Sequence, residues 1–452
     1  MTDPHQQDQQ TASGQDPHPA LSQGPTRRAA LFGGGALAGG TALGVATLGG
    51  GAIGAGAMGL ADRYAAPERN AGDNQGVAPW AEATEGFYGL RQAGVATSPQ
   101  AHASFIAADL NPGAQASDVR RLLRVLTEDA AALTRGEAPL ADQEPELAQT
   151  PARLTATVGF GPRIFEVVAP RRRPEWLKPL PAFEQIDQLQ ERYSDGDLLL
   201  QLCCEDRLVL AHAQRVLLKD LRSFGSIRWI QSGFRNTPGT KPRGTTMRNL
   251  FGQVDGTVNP SVEDGSMDRF VYGQADMLEP WAPGGTSVVI RRIHMNLDTW
   301  DELDRAGREE AIGRKLSNGA PLTGQQESDP TDLSAKGPLG FPVIPQTAHI
   351  RRAAATAPEE QILRRPYNYD LPVTDASGFQ QAGEAEGGVS RTGLIFASYQ
   401  ADPVRQFLPI QQRLAELDML NVWTVPIGSA VFAIPPGCQR GGFIGDFLFA
   451  GE

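Results

Sequence analysis

Two rhythms of apolar and polar positions alternate along the chain after about residue 78. Ser104 to Leu110 is a short, mostly apolar run of strand length. Ser117 is placed to cap a helix that reaches Arg135, with Val119, Leu122, Leu123, Leu126 and Leu133 on one stripe. Leu154, Ala156 and Val158 alternate with Thr155 and Thr157, the period of a half-buried strand, which ends at Gly159-Phe160-Gly161. Asp197 to Cys204 is a compact apolar strand, Arg207 to Leu221 returns to helical period, and Ser226 to Gln231 is again a strand. The order β-α-β-β-α-β is that of a ferredoxin-like domain.

Part of this order recurs in the second half. Ser287 to Leu297 reads as a strand and Asp298 to Leu316 as a helix. Gly393 to Gln400 is a strand, Pro403 to Leu417 a helix with Pro at its first position, and Ser429 to Ile434 a strand. Between them lies an irregular Pro- and Gly-rich stretch, roughly 317 to 390. A connection that long in a compact domain is usually functional. The repeat is one of element order, not of residues. The expected fold is α+β: two ferredoxin-like domains, 78–245 and 246–452, whose antiparallel sheets pack together in the manner of a dimeric α/β barrel.

The first 61 residues do not read as fold. Residues 1–25 are polar; Thr26-Arg27-Arg28 follows, then a charge-free run from Ala29 to Ala61. That run contains twelve Gly and ten Ala, which makes it long enough to span a bilayer but a poor helix. An Arg pair before a mildly apolar, Gly-rich run looks like a twin-arginine export signal, with an uncleaved anchor as the other reading. Cleavage fits Ala55-Gly56-Ala57 or the bond after Ala61. Residues 62–77 then form a linker. Export by the twin-arginine translocase would place the protein in the periplasm, the cell envelope or the medium, already folded.

Composition narrows the chemistry. The 452 residues carry 41 Lys+Arg against 52 Asp+Glu, a formal charge of -11, so a nucleic acid is an unsuitable main partner. Three cysteines, two of them the adjacent Cys203 and Cys204, cannot build a disulfide framework. There is no CxxC, no CxxCH and no zinc-spaced Cys/His cluster, which argues against structural zinc and covalently attached haem. No P-loop, GxSxG elbow or HExxH helix is present. Of six histidines, His5 and His18 lie in the leader, leaving His102, His212, His294 and His349. Asp255 sits in Gly252-Gln253-Val254-Asp255-Gly256-Thr257, where Asp-Gly signals a turn and the carboxylate is also placed to act as an acid–base group. Arg364 and Arg365 form a pair that, taken alone, reads as a solvated surface feature.

These residues fall in an ordered set of motifs: Gln92 to Thr97, Val158 to Gly161, Asp197 to Gln201, the GxxDG of Gly252 to Gly256 with Thr257-Val258-Asn259-Pro260, Arg291 to Leu297, His349-Ile350-Arg351-Arg352-Ala353, Leu363-Arg364-Arg365 and Gly393 to Phe396. With them the mature chain resembles the dye-decolourising peroxidases, and in particular the exported bacterial branch that includes the deferrochelatases. The resemblance implies a pair of ferredoxin-like domains with non-covalent haem b in the second. It puts the iron ligand at His349 rather than His294, the distal acid–base group at Asp255 and the distal arginine at Arg364, with Arg365 the alternative one position on. Gly256, Thr257 and Phe396 are expected to line the haem. The chain departs from the family at Ala354-Ala355, where Asn-Pro is usual, at Pro366, where Gly is usual, and at Arg91, where His is common.

The implied activity is reduction of hydrogen peroxide through a ferryl and porphyrin-radical intermediate, with oxidation of dyes, phenolics or other one-electron donors. A hydrogen-bond acceptor for the other ring nitrogen of the ligand is expected, with Asp402 and Asp418 as candidates. Trp229, Trp281 and Tyr399 are candidates for relaying electrons from bulky donors at the surface. The second reading is an exported haem-binding iron-acquisition protein of the deferrochelatase kind. Oligomeric state is open at this level.

Overall fold

The computed structural model describes residues 78–242, 244–274, 278, 280–373 and 390–450. The leader, its Arg27-Arg28 pair and the linker to residue 77 lie outside them.

In the first half, β1 (His102–Leu110) leads to α1 (Ala116–Leu133), β2 (Thr155–Phe160) to the short α2 (Pro162–Val168), and β3 (Leu198–Cys204) to α3 (Arg207–Leu221) and β4 (Gly225–Phe234). The sheet order β2-β3-β1-β4 is the ferredoxin-like one. α1 begins two residues earlier than its sequence suggests: Gln115, not Ser117, caps it, and Asp118 closes the reciprocal capping box. Asp206 caps α3 by accepting from the amides of Leu208 and Val209.

In the second half, β5 (Thr286–Met295) is followed not by one long helix but by two short ones, α4 (Leu297–Trp300) and α5 (Arg305–Ile312). The expected single helix from Asp298 to Leu316 is broken because Asp304 accepts from the Gly307 amide and starts a new helix, while Gly313 at φ 89° ends it. The stretch expected to be irregular contains α6 (His349–Arg352), β6 (Leu363–Arg364) and β7 (Tyr367–Leu371). Then come β8 (Arg391–Gln400), α7 (Phe407–Leu417) and β9 (Thr424–Ile434). Pro403 lies ahead of α7 and not at its first position, because Asp402 and Gln406 cap each other in an intervening turn.

Each half forms an antiparallel sheet, and the two join at their edges. β9 meets β2 at Ala433 and Phe160, and β4 meets β7 at Phe234 and Asn368. Since β5 pairs both β8 and β9, the ring of strands closes into a barrel. Gly233 allows one seam: a Cβ there would stand 2.6 Å from the Tyr367 side chain. The barrel interior is filled from both sheets, by Phe105, Ala107, Leu199 and Trp229 facing Val288, Ile290, Ile395, Tyr399 and Phe432. Alternation along β8 puts Leu394 and Phe396 on the opposite, outer face. There they pack with Phe251, Trp300, Trp423 and Ile350 under the helices of the second half. Among the described residues no helix is long and apolar enough to cross a membrane.

Candidate functional site

His349 opens α6, a single turn built into the long connection before β6. Arg351 fixes that turn by donating to the carbonyls of Leu333, Ile344 and Pro345. Arg352 ties it to α7 through the Arg413 carbonyl and Glu416. The ring of His349 is held from one side: its Nδ1 lies 2.6 Å from Oδ2 of Asp418, whose side chain is 3% exposed. Asp418 is itself fixed, since its Oδ1 accepts from the Leu420 amide and its carbonyl from that of Asn421. Asp402, the other expected acceptor, instead caps a turn by accepting from Val404 and Arg405.

Burial alone would lower the His349 pKa. The charge and hydrogen bond of Asp418 outweigh it, so the net direction is up. The charges of Arg364 and Asp255 also act on this imidazole, one downward and the other upward. Residues from three distant parts of the sequence therefore share one locality.

Asp255 and Arg364 meet directly, with Nη1 of the arginine 3.2 Å from Oδ1 of the carboxylate. Asp255 stands on a turn at Gly256, whose φ of 119° suits only glycine. Its amide donates to the Met247 carbonyl, and its Oδ2 lies 3.4 Å from Nδ2 of Asn249. Arg364 is on β6, beside Ser398 of β8. Asn259 grips its main chain from the other side. The side chains of His349, Arg364 and Asp255 keep 29%, 25% and 15% of their surface accessible, so all three border open space instead of core. Thr257 donates to Glu327, as does Thr246, which draws the connection at 317–345 against the Asp255 turn. Burial, and then the nearby charge of Arg364, lowers the pKa of Arg314. Phe396 is half-buried on the outer face of β8 against Phe407, on the side where Ile350 packs.

The remaining sequence candidates are elsewhere. Arg365 points into the barrel, bonded to the Thr97 carbonyl and, at 2.6 Å, to Gln100. It does not meet Asp255, as expected of neighbours on a strand. His212 pairs with buried Asp142 at 2.8 Å, His294 is buried inside β5, and His102 opens β1, its pKa lowered by burial and then by Arg207. Trp229 and Tyr399 are buried and Trp281 partly so. None is the surface residue expected of an electron entry point. Arg91 ion-pairs with Asp268 and stacks on Tyr272. Sequence reasoning missed Asn249, Asn259 and Glu327. Only Asn259 left a trace, as part of the Asn-Pro that follows the GxxDG turn.

Comparison with known proteins agrees in both halves. Residues 92–235 match the family model described as Dyp-type peroxidase, N-terminal, and residues 246–439 match Dyp-type peroxidase, C-terminal. A dye-decolorizing peroxidase of Thermobifida fusca is 36% identical over 80% of this chain and 84% of its own. A protein of Escherichia coli K12 named deferrochelatase is 34% identical over 78% of this chain and 84% of its own. The crystal structure of a DyP-type peroxidase from Cellulomonas bogoriensis superposes with a TM-score of 0.77 at 47% identity, over 83% of this chain and all of that one. With both halves matched and the similarity running over most of each relative, the chain belongs to the Dyp-type peroxidase family and is a haem peroxidase.

Proposed function

We propose that His349 is the protein ligand to the iron of haem b, and that Asp255 and Arg364 act as a pair on hydrogen peroxide. One observation carries this reading: the Asp255–Arg364 contact and the His349–Asp418 contact converge so that both act on a single imidazole. The donor set suits haem. With Nδ1 engaged by Asp418, Nε2 is the ring atom left for iron, and an acceptor on the far nitrogen raises ligand basicity. Phe396 and Ile350 offer apolar surface to a macrocycle, and Gly256 and Thr257 follow Asp255 on its turn.

Haem bound there supplies the electrons that reduce peroxide and recovers them from dyes, phenolics or other one-electron donors. The chain's own residues handle protons and charge. Asp255 takes the proton from one peroxide oxygen and hands it to the other. Arg364 donates N–H to the oxygen that gathers negative charge as the O–O bond breaks. Asp418 accepts the hydrogen bond from Nδ1–H of His349, which fixes the tautomer with Nε2 free for iron and makes that nitrogen a stronger donor.

A haem carrier for iron acquisition is the competing reading, since relatives carry the name deferrochelatase. The Asp255–Arg364 pair favours the enzyme, because a carrier has no use for an acid–base group beside the iron. Adding one equivalent of peroxide to the purified haem protein tests it. The peroxidase reading expects a fast spectral conversion that a donor reverses; an unchanged Soret band would overturn it.

We also infer export through the twin-arginine translocase to the periplasm, envelope or medium. The support is Arg27-Arg28 ahead of a charge-free Gly/Ala run. Replacing both arginines by lysine should leave haem-loaded protein in the cytoplasm; unimpaired export would contradict the route.

A further inference from the structure

Asp255 and Arg364 are 109 residues apart in the chain, and the ion pair between them is partly exposed. Such a pair holds its own geometry weakly. Something else must set their separation, and the backbone of Arg364 shows what does. Its N–H donates to Oδ1 of Asn259 at 2.9 Å, and its carbonyl accepts from Nδ2 of the same side chain at 2.8 Å. A primary amide presents one acceptor and one donor side by side, as a peptide group does. Asn259 therefore takes both main-chain groups of Arg364 as a neighbouring strand would.

The position needs such a substitute. β6 is two residues long and ends the strand order, paired only with β8. The next amide, of Arg365, is used on Ala397, and Pro366 has none to give. Asn259 is in turn four residues from Asp255, on the turn anchored by the Asp255 amide on Met247 and by Thr257 on Glu327. Pro260, which follows it, is buried. The amide of Asn259 thus joins the carboxylate's turn to the arginine's strand.

We propose that Asn259 is a positioning residue for the peroxide reaction, setting Arg364 against Asp255 through the main chain of β6. This rests on the roles given to Asp255 and Arg364 above. A misplacement of about 1 Å costs roughly a hundredfold in rate, so Asn259→Ala should lower kcat/KM for peroxide by about 10- to 100-fold and leave the KM for the donor nearly unchanged. Asn259→Asp keeps the size and the acceptor but loses the donor to the Arg364 carbonyl, and should fall between the two.

The deciding measurement is a double-variant cycle in the haem-loaded protein. Asn259→Ala, Arg364→Ala and the double variant are compared for the rate of reaction with peroxide and for fluoride affinity of the ferric form, read from its spectrum. If Asn259 works through Arg364, the double variant is no slower and binds fluoride no more weakly than Arg364→Ala alone. Hydrogen exchange in the haem-free protein should also quicken at the Arg364 amide in both Asn259 variants. Additive losses, or a loss in Arg364→Ala with none in either Asn259 variant, overturn the positioning role alone. No loss in Arg364→Ala overturns this role and the reading of the site together.

Discussion

Oδ2 of Asp418 lies 2.6 Å from Nδ1 of His349, across 69 residues of chain and between two different helical segments. The carboxylate is almost wholly buried, while the imidazole borders open space. The pair is thus anchored at the acid and presented at the ring. Buried acceptors of this kind fix the tautomer of a ligand histidine and make it a stronger donor to metal. Asp418→Asn should retain haem but raise the ferric/ferrous midpoint potential and slow peroxide turnover by about 10- to 100-fold. Spectroelectrochemistry checks the first; a midpoint equal to that of the parent protein would remove Asp418 from the account.

The four histidines of the folded chain differ in what surrounds them, and His349 shares its locality with Asp255 and Arg364. His349→Ala is expected to purify without a Soret band. His294→Ala, a change inside β5, should keep one even if it melts earlier. The reverse pattern of absorption would move the ligand to β5.

Asp255 and Arg364 should separate from haem binding in the same way. General-base help is typically worth about 10²–10⁴ in rate, so Asp255→Asn should cut the second-order rate with peroxide by that range at unchanged haem content. Arg364→Leu should cost about 10²–10³ if it stabilises developing charge. Stopped-flow mixing with peroxide reads both, and near-parental rates in either variant would reject its role.

A pH effect on stability is expected far from the site, between α1 and α3. Asp129 and Asp220 share a hydrogen bond there, and burial, reinforced by the neighbouring Asp129 charge, pushes Asp220 up to about 7. Asp129 is raised as well, chiefly by burial, with Glu128 and Asp142 adding to it. The folded chain therefore holds a proton that the unfolded chain releases in the ordinary carboxyl range, near ~4. The contribution is fully present below that range and is lost as pH rises through about 7. Asp220→Asn should raise Tm at pH 8 and flatten the profile between about 4 and 7; thermal melts that keep the parental pH slope would disprove it.

Much of the strand and helix content was legible because it rests on local periods. β3, with all seven residues buried, and the stripe of α1 are visible as runs and spacings. Where a polar side chain competed for the backbone, the period misled. Asp304 and Gly313 cut one expected helix into pieces, and the Asp402 turn displaced the start of another. β6 and β7 were hidden in a Pro-rich stretch because they are short and owe their pairing to β8, not to their own pattern.

By itself the sequence determined the class of fold, the family and the identities of the residues proposed for chemistry, since motif order and apolar period are properties of neighbours along the chain. It left Asp402 level with Asp418 and Arg365 in reserve behind Arg364, and it was silent on Asn259 as a brace. Only the closed barrel decided these. Strand alternation turns Arg365 into the interior and leaves Arg364 beside Asp255, and the packing of α6 against α7 brings Asp418 to His349. Those contacts join residues from 69 to 268 positions apart. Such partners are chosen by how sheets and helices close on one another, which no local pattern records.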